Sequence, residues 1–431
     1  MVDPIFKKVI SYLLIASVFI TGPSFIDVPF SVFWYLPVYV GFLIYATVVY
    51  GKINTKLLGA MAVLIAYSLL TMKTDPGLII KQLVNIVLTI LVFYNFILHE
   101  DFNLAEILRK YIQFGKFILI VGFVQVALFL VGLRDIYLTL FPFLRHTNIS
   151  ERFQSLSDEP SFIALTFIPI VFVALHNLFY NTRYIMGREW SILFVLGYLL
   201  TLSSAGFIAL IIIALILYLK KITLAKGIFA AAFCLIVLMI AAFSYHRIEY
   251  IRLRVDDTLF AMRNDFSSPA VYESVNLSTY AFLSNAYVTR KALNRYPLTG
   301  RGLGAHEKNY DHYLPEEMRD YSQLNRKDAN SMALRLLSET GILGTLMFLI
   351  LLAALKARRR VGDDGTSELL WLLNTAIFVM MIVVLLRHGN YTSSGKMLFL
   401  LLYFYSYKFY RAAHRLPSAS PGASPVGEPL S

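Results

Sequence analysis

A chain of 431 residues that is 58% hydrophobic and only 15% charged is too apolar to fold as a water-soluble domain, so the lipid bilayer must act as its solvent. The net charge of +12 comes from Lys and Arg residues scattered between apolar runs, a pattern that fits membrane topology and argues against nucleic acid as a partner. The single cysteine, Cys234, lies in an apolar run and excludes disulfides and thiolate metal sites.

Apolar runs recur along nearly the whole chain and predict an all-α, polytopic integral membrane protein with about twelve transmembrane helices. The first nine are expected near residues 9–26, 30–50, 57–72, 78–98, 113–133, 161–180, 190–203, 205–219 and 224–244, and the last three near 341–356, 367–386 and 396–410. Residues 202–206 leave almost no turn between the seventh and eighth runs, so a broken or re-entrant helix is the alternative there.

This pattern divides the chain into four parts. Residues 1–244 hold helices 1 to 9 with an outer segment at 134–160, residues 245–335 form a large polar loop, residues 336–412 hold helices 10 to 12, and residues 413–431 form a disordered tail. Every second short loop carries the excess of Lys and Arg that marks the cytoplasmic side. We therefore expect a multi-pass protein of a bacterial inner membrane, with both termini in the cytoplasm and the large loop in the periplasm.

The large loop is predicted to contain helices. Apolar residues recur at helical spacing from Ile248 to Met262, and a second helix is expected from about Ser278 to Arg295. The glycine-rich residues 300–304 then follow, with no strand before them and no lysine in Walker spacing, which argues against a nucleotide site. These glycines either form a tight turn or offer backbone N–H groups to a phosphate or sugar, and Gly302 is the residue selected for that role.

Basic side chains on the outer side are candidates for holding an anionic lipid diphosphate, because guanidinium groups stay charged and bind phosphate bidentately. The outer arginines are Arg145, Arg152, Arg247, Arg252, Arg254, Arg290, Arg295, Arg301, Arg326 and Arg335, of which Arg152, Arg254, Arg290, Arg301 and Arg326 are selected. The alternative for each is that it only solvates a loop or reaches lipid headgroups. Lys81, within a predicted span, is expected either to face a wet cavity or an anion, or to reach headgroups from the helix end.

A reaction in which a hydroxyl group attacks an activated sugar needs one proton acceptor. The plausible acceptors on the outer side are His306, His312, Glu307, Asp328 and Glu159, and we select Asp328, His306 and Glu159. His306 and His312 are six residues apart, which does not place two ligands on one helix face, so no metal and no other cofactor is predicted.

Three segments resemble motifs of the O-antigen ligase and Wzy-type polymerase superfamily. Residues 294–304 read NRYPLTGRGLG and resemble its P-x-x-G-x-G-x-G stretch, and residues 330–344 read NSMALRLLSETGILG and look like its H-N-x-x-L-x-x-L-x-E-x-G start of the span after the large loop. Arg152 and Phe153, followed by residues 158–161 (DEPS), are similar to its R-F and D/E-P-N/S element. The match in span layout covers the whole chain, whereas each motif is short.

The resemblance implies a glycosyltransferase that takes a glycan from undecaprenyl diphosphate and joins it to a sugar hydroxyl in the periplasm, without nucleotide or metal. Arginines would hold the leaving diphosphate, and a base would activate the acceptor. Asn330 stands about where ligases carry a histidine and is counted among the substrate contacts. Ser204 stands where the usual arginine follows a serine between the two closely spaced spans. The missing histidine favours a polymerase over a ligase.

The predicted substrate is therefore an oligosaccharide repeat unit of an O-antigen, exopolysaccharide or capsule. A chain-length regulator and a flippase are the expected partners besides the bilayer. The alternatives are an O-antigen ligase acting on lipid A core, a polymerase in a Gram-positive cell, or a flippase for the same lipid-linked sugars. A flippase should show two similar halves with charges inside its spans, whereas here polarity is concentrated in one late loop.

Overall fold

The computed structural model of the chain describes a protein built almost entirely from helices. The described residues are 4–21, 24–26, 32–51, 55–73, 75–146, 151–218, 235, 239, 242–243, 245–247, 249–263, 268–359 and 365–414. The only strands in these ranges are a short antiparallel pair, β1 (Ser24–Ile26) and β2 (Val32–Phe33). The all-α fold class predicted from the hydropathy pattern is confirmed.

The helices before the large loop form most of the apolar part. They are α1 (Pro4–Phe19), α2 (Tyr35–Tyr50), α3 (Thr55–Leu70), α4 (Pro76–His99), α5 (Leu104–Leu130), α6 (Arg134–Leu140), α7 (Pro160–Tyr180), α8 (Arg188–Leu200) and α9 (Ser204–Tyr218), with a 3₁₀ turn at Pro142–His146. Because α8 and α9 are separate helices with residues 201–203 between them, the predicted break at this point is a tight connection. Leu202 in this connection has a positive φ of 45°.

The large loop and the last helices complete the fold. They are α10 (Glu249–Arg263), α11 (Pro269–Tyr272), α12 (Leu277–Arg295), α13 (His306–Tyr313), α14 (Glu316–Tyr321), α15 (Met332–Ala354), α16 (Gly365–Leu386) and α17 (Lys396–Ala413), with a 3₁₀ turn at Ser393–Gly395. The two loop helices predicted from spacing correspond to α10 and α12, and Asn276 caps α12 by accepting a hydrogen bond from the backbone N–H of Thr279.

Five of the described helices, α4, α5, α7, α15 and α16, are long and apolar enough to cross a membrane, and shorter apolar helices occur at Tyr35–Tyr50, Leu57–Leu70 and Ser204–Tyr218. The protein is therefore a polytopic membrane protein. Eleven of the twelve predicted spans coincide with helices in the described ranges, and the twelfth, 224–244, lies mostly outside them.

Helices α7 and α16 occupy the centre of the apolar core. Almost every side chain from Ile163 to Ala174 of α7 is buried, and α16 is buried from Trp371 to Leu385 with few exceptions. Helix α7 packs against α8, α9 and α16, while α17 packs against α16 and α4. This arrangement brings the start of α4, the start of α15 and the connection between α16 and α17 to one end of the bundle.

Candidate functional site

The two glycine-bearing motifs meet in a backbone joint at α15. Gly341 has φ 65° and ψ −164°, which interrupts the helix and leaves the next two N–H groups free to donate outside it. The N–H groups of Ile342 and Leu343 donate to the carbonyl oxygens of Pro297 (2.9 Å) and Leu298 (3.0 Å). The large loop is thereby fixed to the point where α15 continues as an apolar helix.

Gly300 and Gly341, at the centre of this joint, must both be glycine because no side chain would fit there. A Cβ atom on Gly300 would lie 2.4 Å from the backbone carbon of Glu339, and one on Gly341 would lie 2.5 Å from the nitrogen of Gly300. The N–H of Gly302 donates to the carbonyl oxygen of Glu339 at 2.9 Å. The amide of Gly302 is therefore used within the fold instead of facing a phosphate, and the tight-turn alternative describes these glycines.

A buried ion pair lies directly beneath the joint. Arg335 Nε donates to Glu339 Oε1 at 2.9 Å, and the two side chains are 6% and 0% exposed. The guanidinium also donates to the carbonyl of Gly389 (3.1 Å) and to Gln82 Oε1 (2.9 Å), while Tyr391 donates its hydroxyl hydrogen to Glu339 Oε2 at 2.9 Å. Because a buried charge pair is tolerated only when its remaining polar atoms are satisfied, this network fixes α4, α15 and residues 389–391 together.

His306 lies fully buried beside this ion pair. Its Nε2 is 2.8 Å from Asn285 Oδ1 and its Nδ1 is 3.0 Å from Ser338 Oγ. The amide nitrogen of Asn285 already donates to two backbone carbonyls, so its oxygen accepts and the proton of His306 resides on Nε2. Burial, assisted by the charge of Arg335, lowers the pKa of His306 to about 3, so the ring is neutral at physiological pH.

Arg301 joins the same network from the glycine-rich segment. Its Nη1 donates to Asn309 Oδ1 at 3.1 Å, and the amide nitrogen of Asn309 donates to Ser338 Oγ at 2.9 Å. The carbonyl of Arg301 accepts a hydrogen bond from the backbone N–H of Lys73, in the connection between α3 and α4. Arg301 and His306 are thus held among polar side chains inside the loop.

A polar cavity of about 410 Å³ opens next to this network. Its lining consists of Gln323, Asn325, Arg326, Lys327, Asp328 and Asn390. Asp328 Oδ1 accepts from Asn325 Nδ2 (3.0 Å) and from the backbone N–H of Asn330 (3.2 Å), and its charge lies within electrostatic range of Arg335 and Lys396. A wall made only of charged and amide side chains suits a ligand that is rich in hydroxyl groups.

Arg326, on the wall of this polar cavity, is engaged by two acidic side chains of α13. Its Nη2 lies 2.6 Å from Asp311 Oδ2 and 3.5 Å from Glu307 Oε1. These carboxylates raise the pKa of Arg326. Much of its charge is therefore already balanced by the protein.

The connection between α16 and α17, residues 387–396, links the start of α15 with the first turn of α7. Besides the contacts of Gly389 and Tyr391 described above, the ring of His388 lies 5.0 Å from that of Phe162 and bonds to the backbone of Ser161. Burial, followed by the charges of Lys396 and Arg387, lowers the pKa of His388 to about 3. Two of the motifs noted in the sequence, residues 330–344 and 158–161, therefore meet at this connection, and residues 294–304 join them through their bonds to α15.

Lys396, the first residue of α17, completes this connection. Its side chain is almost fully buried, and Nζ donates to the carbonyl of Asn390 (2.7 Å) and to Ser393 Oγ (2.9 Å). Gly395 sits so close to Val18 of α1 that a Cβ atom there would lie 2.7 Å from the valine side chain. The connection is thus held between α1, α7 and α15.

Other predicted residues lie farther from the ion pair. Arg152 is partly buried, and its carbonyl accepts from Gln125 at 3.1 Å. Glu159 is exposed at the start of α7, where it accepts a hydrogen bond from Ser161 Oγ, and its neighbour Asp158 bonds to Thr21. Burial is the main cause that raises the pKa of Asp158.

The remaining predicted basic residues are on helices. Lys81 is exposed on α4, next to Gln82, and Arg290 is exposed on α12. Arg254 belongs to α10, and its side chain lies outside the described residues. Of the residues selected from sequence, the structure brings together Arg301, Gly302, His306, Arg326, Asp328 and Asn330.

Sequence reasoning missed several polar partners of the site. These are Gln82, Asn285, Asn309, Asn390, Tyr391 and Lys396. One signal was present: Arg335 and Glu339 have the i, i+4 spacing that pairs charges on a helix, just before a long apolar run. In the described ranges, no group of three or more His, Cys, Asp or Glu side chains is placed to hold a metal ion.

Comparison with known families finds similarity over part of the chain. Residues 190–349 match the family described as O-antigen ligase, a range that runs from α8 through the large loop into α15. This match supports the superfamily of ligases and polymerases and does not separate the two activities. The comparison with curated proteins returned no match. Together, the match and the apolar helices support a membrane enzyme of glycan transfer.

Proposed function

We propose that the protein is a polysaccharide polymerase that joins undecaprenyl diphosphate-linked oligosaccharide units at the periplasmic face of a bacterial inner membrane. The observation that carries this proposal is that the three motif segments are joined around α15: residues 294–304 bond to α15 directly, and residues 387–396 link α15 to the start of α7. There, a buried arginine network lies beside a polar cavity that is open to solvent. Such a site offers hydrogen-bonding groups for a sugar acceptor, and the exposed Lys81, one residue before Gln82 of this network, offers a positive charge for a departing diphosphate.

In this proposal the polar cavity holds the acceptor sugar. Asp328 accepts the proton of the attacking hydroxyl, whose oxygen forms a bond to the anomeric carbon while the bond from that carbon to the diphosphate oxygen breaks. The electron pair leaves with undecaprenyl diphosphate. Asp328 is supported in this role by its position on the cavity wall and by Asn325 and Asn330, which hold its carboxylate in place. Glu159, exposed at the start of α7, is the second candidate base.

Lys81 and Arg152 are assigned to the diphosphate of the donor, with Arg290 and Arg254 as further contacts from the loop helices. The position of Lys81 supports its role, because it is an exposed charge on an apolar helix, and the adjacent residue Gln82 bonds to Arg335. A diphosphate at headgroup level would be reached by such a side chain while its polyprenyl chain stays in the bilayer.

His306 and Arg301 are assigned as positioning residues. A general base must come within hydrogen-bond reach of the proton that it removes, whereas His306 has no exposed surface and both of its nitrogens are engaged. These two residues keep Ser338 and Asn309 in one arrangement and so hold the loop against α15.

A ligase that transfers finished glycan to lipid A core or another acceptor is the alternative, and it has equal support from the family match. Asn330 favours the polymerase, because an amide side chain cannot accept a proton at the position where the resemblance to ligases calls for a histidine. A flippase is the alternative of another class. We expect a flippase and a chain-length regulator as partners of the polymerase, and no nucleic acid.

Deleting the gene in its host and analysing the lipid-linked glycans tests this function. If the protein is a polymerase, the deletion strain should accumulate single repeat units attached to the lipid at the periplasmic face. Long polymer left on the lipid would instead establish a ligase, and units trapped on the cytoplasmic side would establish a flippase. Complementation with Asp328→Asn should lower elongation by about 10²- to 10⁴-fold. The exposed Asp320→Asn variant is the matched control and should restore the polymer.

A further inference from the structure

The segment that leads into the large loop presents apolar side chains to its surroundings. Leu235, Met239 and Phe243 are each more than half exposed, and Arg247 lies with its Cζ 6.0 Å from the centre of the Phe243 ring. In a protein that crosses a membrane, exposed large apolar side chains face lipid, and an arginine beside them reaches the headgroups. This pattern is typical of a chain that leaves the bilayer near residues 243–247.

Helix α10 does not continue in the direction of this segment. The hydroxyl of Tyr245 donates to Asp256 Oδ1 at 2.7 Å, although the two residues are 11 positions apart in the chain. In one straight helix, such a separation corresponds to about 16 Å along the axis, a distance that these two side chains cannot bridge. The chain therefore turns between Tyr245 and α10, and α10 runs in a different direction from the segment before it.

Two opposite faces of α10 differ in what covers them. Asp257 Oδ2 accepts hydrogen bonds from the backbone N–H (3.0 Å) and from the side-chain amide (3.1 Å) of Asn276, the residue that caps α12. On this side α10 packs against α11 and α12. Val255 and Leu259 lie two residues before and two residues after Asp257, so they share the opposite face, and both side chains are exposed. That face is an apolar stripe without a partner among the described residues.

Arginine side chains border this apolar stripe. Arg252 precedes Leu259 by two helical turns and Arg263 follows it by one, so all three residues lie nearly in line along the helix. Both arginines are exposed, whereas the carboxylates of Asp256 and Asp257 are engaged by the hydrogen bonds described above. An apolar stripe with cations along its border suits the surface of a bilayer that contains anionic lipid.

We infer that α10 lies on the surface of the bilayer, with Val255 and Leu259 inserted below the lipid headgroups and with Arg252 and Arg263 bound to anionic headgroups. The repeat of apolar residues from Ile248 to Met262 extends the stripe along the helix. Lipid is favoured over a second copy of the chain or a partner protein, because the stripe begins where the chain leaves the bilayer and because its border is basic. The inference concerns contact with lipid, so it holds for a polymerase, a ligase or a flippase alike.

The test measures how often a spin label collides with oxygen, which concentrates in lipid, and with a nickel chelate, which stays in water. The full-length protein with Cys234→Ser carries a nitroxide at Leu259→Cys or at Val255→Cys and is placed in nanodiscs that contain phosphatidylglycerol. We expect oxygen collisions to exceed nickel collisions severalfold at both sites, because the apolar face of such a helix reaches roughly 5–10 Å into the boundary between headgroups and acyl chains. Glu249→Cys, exposed on the same helix, is the matched control and should favour nickel.

The role of the two arginines is tested with the label at Val255→Cys. Arg252→Gln combined with Arg263→Gln should lower the preference for oxygen to the level found in nanodiscs of phosphatidylcholine, because the attraction to anionic headgroups is lost. Arg295→Gln combined with Lys308→Gln removes two exposed charges outside α10 and should leave the preference unchanged.

Three results would overturn the inference. A preference for nickel at both Leu259→Cys and Val255→Cys would show that the stripe lies in water. Low collision rates with both reagents would show that protein covers the stripe, from a second copy or from a partner. Equal collision ratios in phosphatidylglycerol and phosphatidylcholine would show that anionic headgroups do not bind the arginines.

Discussion

Glu339 is a charged residue without exposed surface, and its carboxylate depends on Arg335 and Tyr391 for compensation. Removing one partner of a buried ion pair leaves the other charge unpaired, which typically costs about 3–5 kcal/mol. We therefore expect Glu339→Gln to destabilise the protein by an amount of this order and to abolish polymer formation. Thermal unfolding of the purified protein in detergent measures the first effect, and complementation of the deletion strain measures the second.

The exposed Glu316→Gln variant, at the start of α14, is the control for Glu339→Gln and should unfold at the temperature of the original protein. Tyr391→Phe removes one neutral donor from the buried carboxylate, so its effect should be smaller, about 1.5–3 kcal/mol. If Glu339→Gln were as stable as Glu316→Gln, the buried network would not hold α15 against residues 389–391.

The lowered pKa values of His306 and His388 predict how the free energy of unfolding changes as the pH falls. Both have a folded-state pKa of about 3, below the ordinary value of 6.5, so the unfolded chain binds protons that the folded chain does not. The stability contributed by the neutral rings is full above pH 6.5 and is lost as the pH falls from 6.5 toward 3. Each group contributes a slope of at most about 1.4 kcal/mol per pH unit.

Unfolding temperatures measured between pH 7.5 and 4 check this behaviour. The original protein should lose stability steadily below pH 6.5, and His306→Asn should be less stable at neutral pH but show a shallower decline. His312→Asn replaces an exposed histidine and should leave the slope unchanged. An unchanged slope in His306→Asn would contradict a buried neutral ring at this position.

At the scale of elements, the joint between residues 297–302 and α15 decides where the large loop sits. Gly300 and Gly341 both have positive φ, a conformation that costs a residue with a Cβ atom roughly 1–2 kcal/mol. A new Cβ atom would in addition meet backbone atoms at about 2.5 Å. Gly341→Ala should therefore separate the loop from α15, lowering the unfolding temperature and abolishing elongation.

Gly41→Ala is the matched control for the joint. Gly41 lies within α2, has an ordinary φ, and has no atom within 4 Å of the place where an alanine methyl group would lie. Alanine in such a helix position favours folding by about 0.5–1 kcal/mol. The same stability for Gly341→Ala and Gly41→Ala would show that the joint is dispensable.

At the scale of the whole molecule, the proposed reaction requires residues 245–335 to face the periplasm. In a Cys234→Ser background, Lys308→Cys on α13 and Arg411→Cys near the end of α17 place single exposed thiols in the loop and near the C-terminus. A membrane-impermeant maleimide added to intact spheroplasts should label the first and not the second. Labelling of Arg411→Cys alone would place the loop in the cytosol and would contradict the proposed periplasmic reaction.

The membrane character, most helix positions and the segments that carry the motifs follow from the amino-acid sequence alone. They do so because hydropathy and helical spacing are properties of neighbouring residues, as in α4, α7 and α16. The i, i+4 spacing of Arg335 and Glu339 is also a local property, so the sequence alone indicates that these two residues can form an ion pair on one helix face.

Which of the candidate residues meet depends instead on tertiary contacts. His306 is satisfied by Asn285 and Ser338, and Arg335 by Gln82 and the carbonyl of Gly389, partners that are 21 to 253 residues away in the chain. Likewise, the backbone N–H of Gly302 donates to the carbonyl oxygen of Glu339 because two segments that are distant in the chain approach each other closely. Burial and hydrogen-bond partners arise from contacts between distant segments, and no pattern within a single segment encodes them.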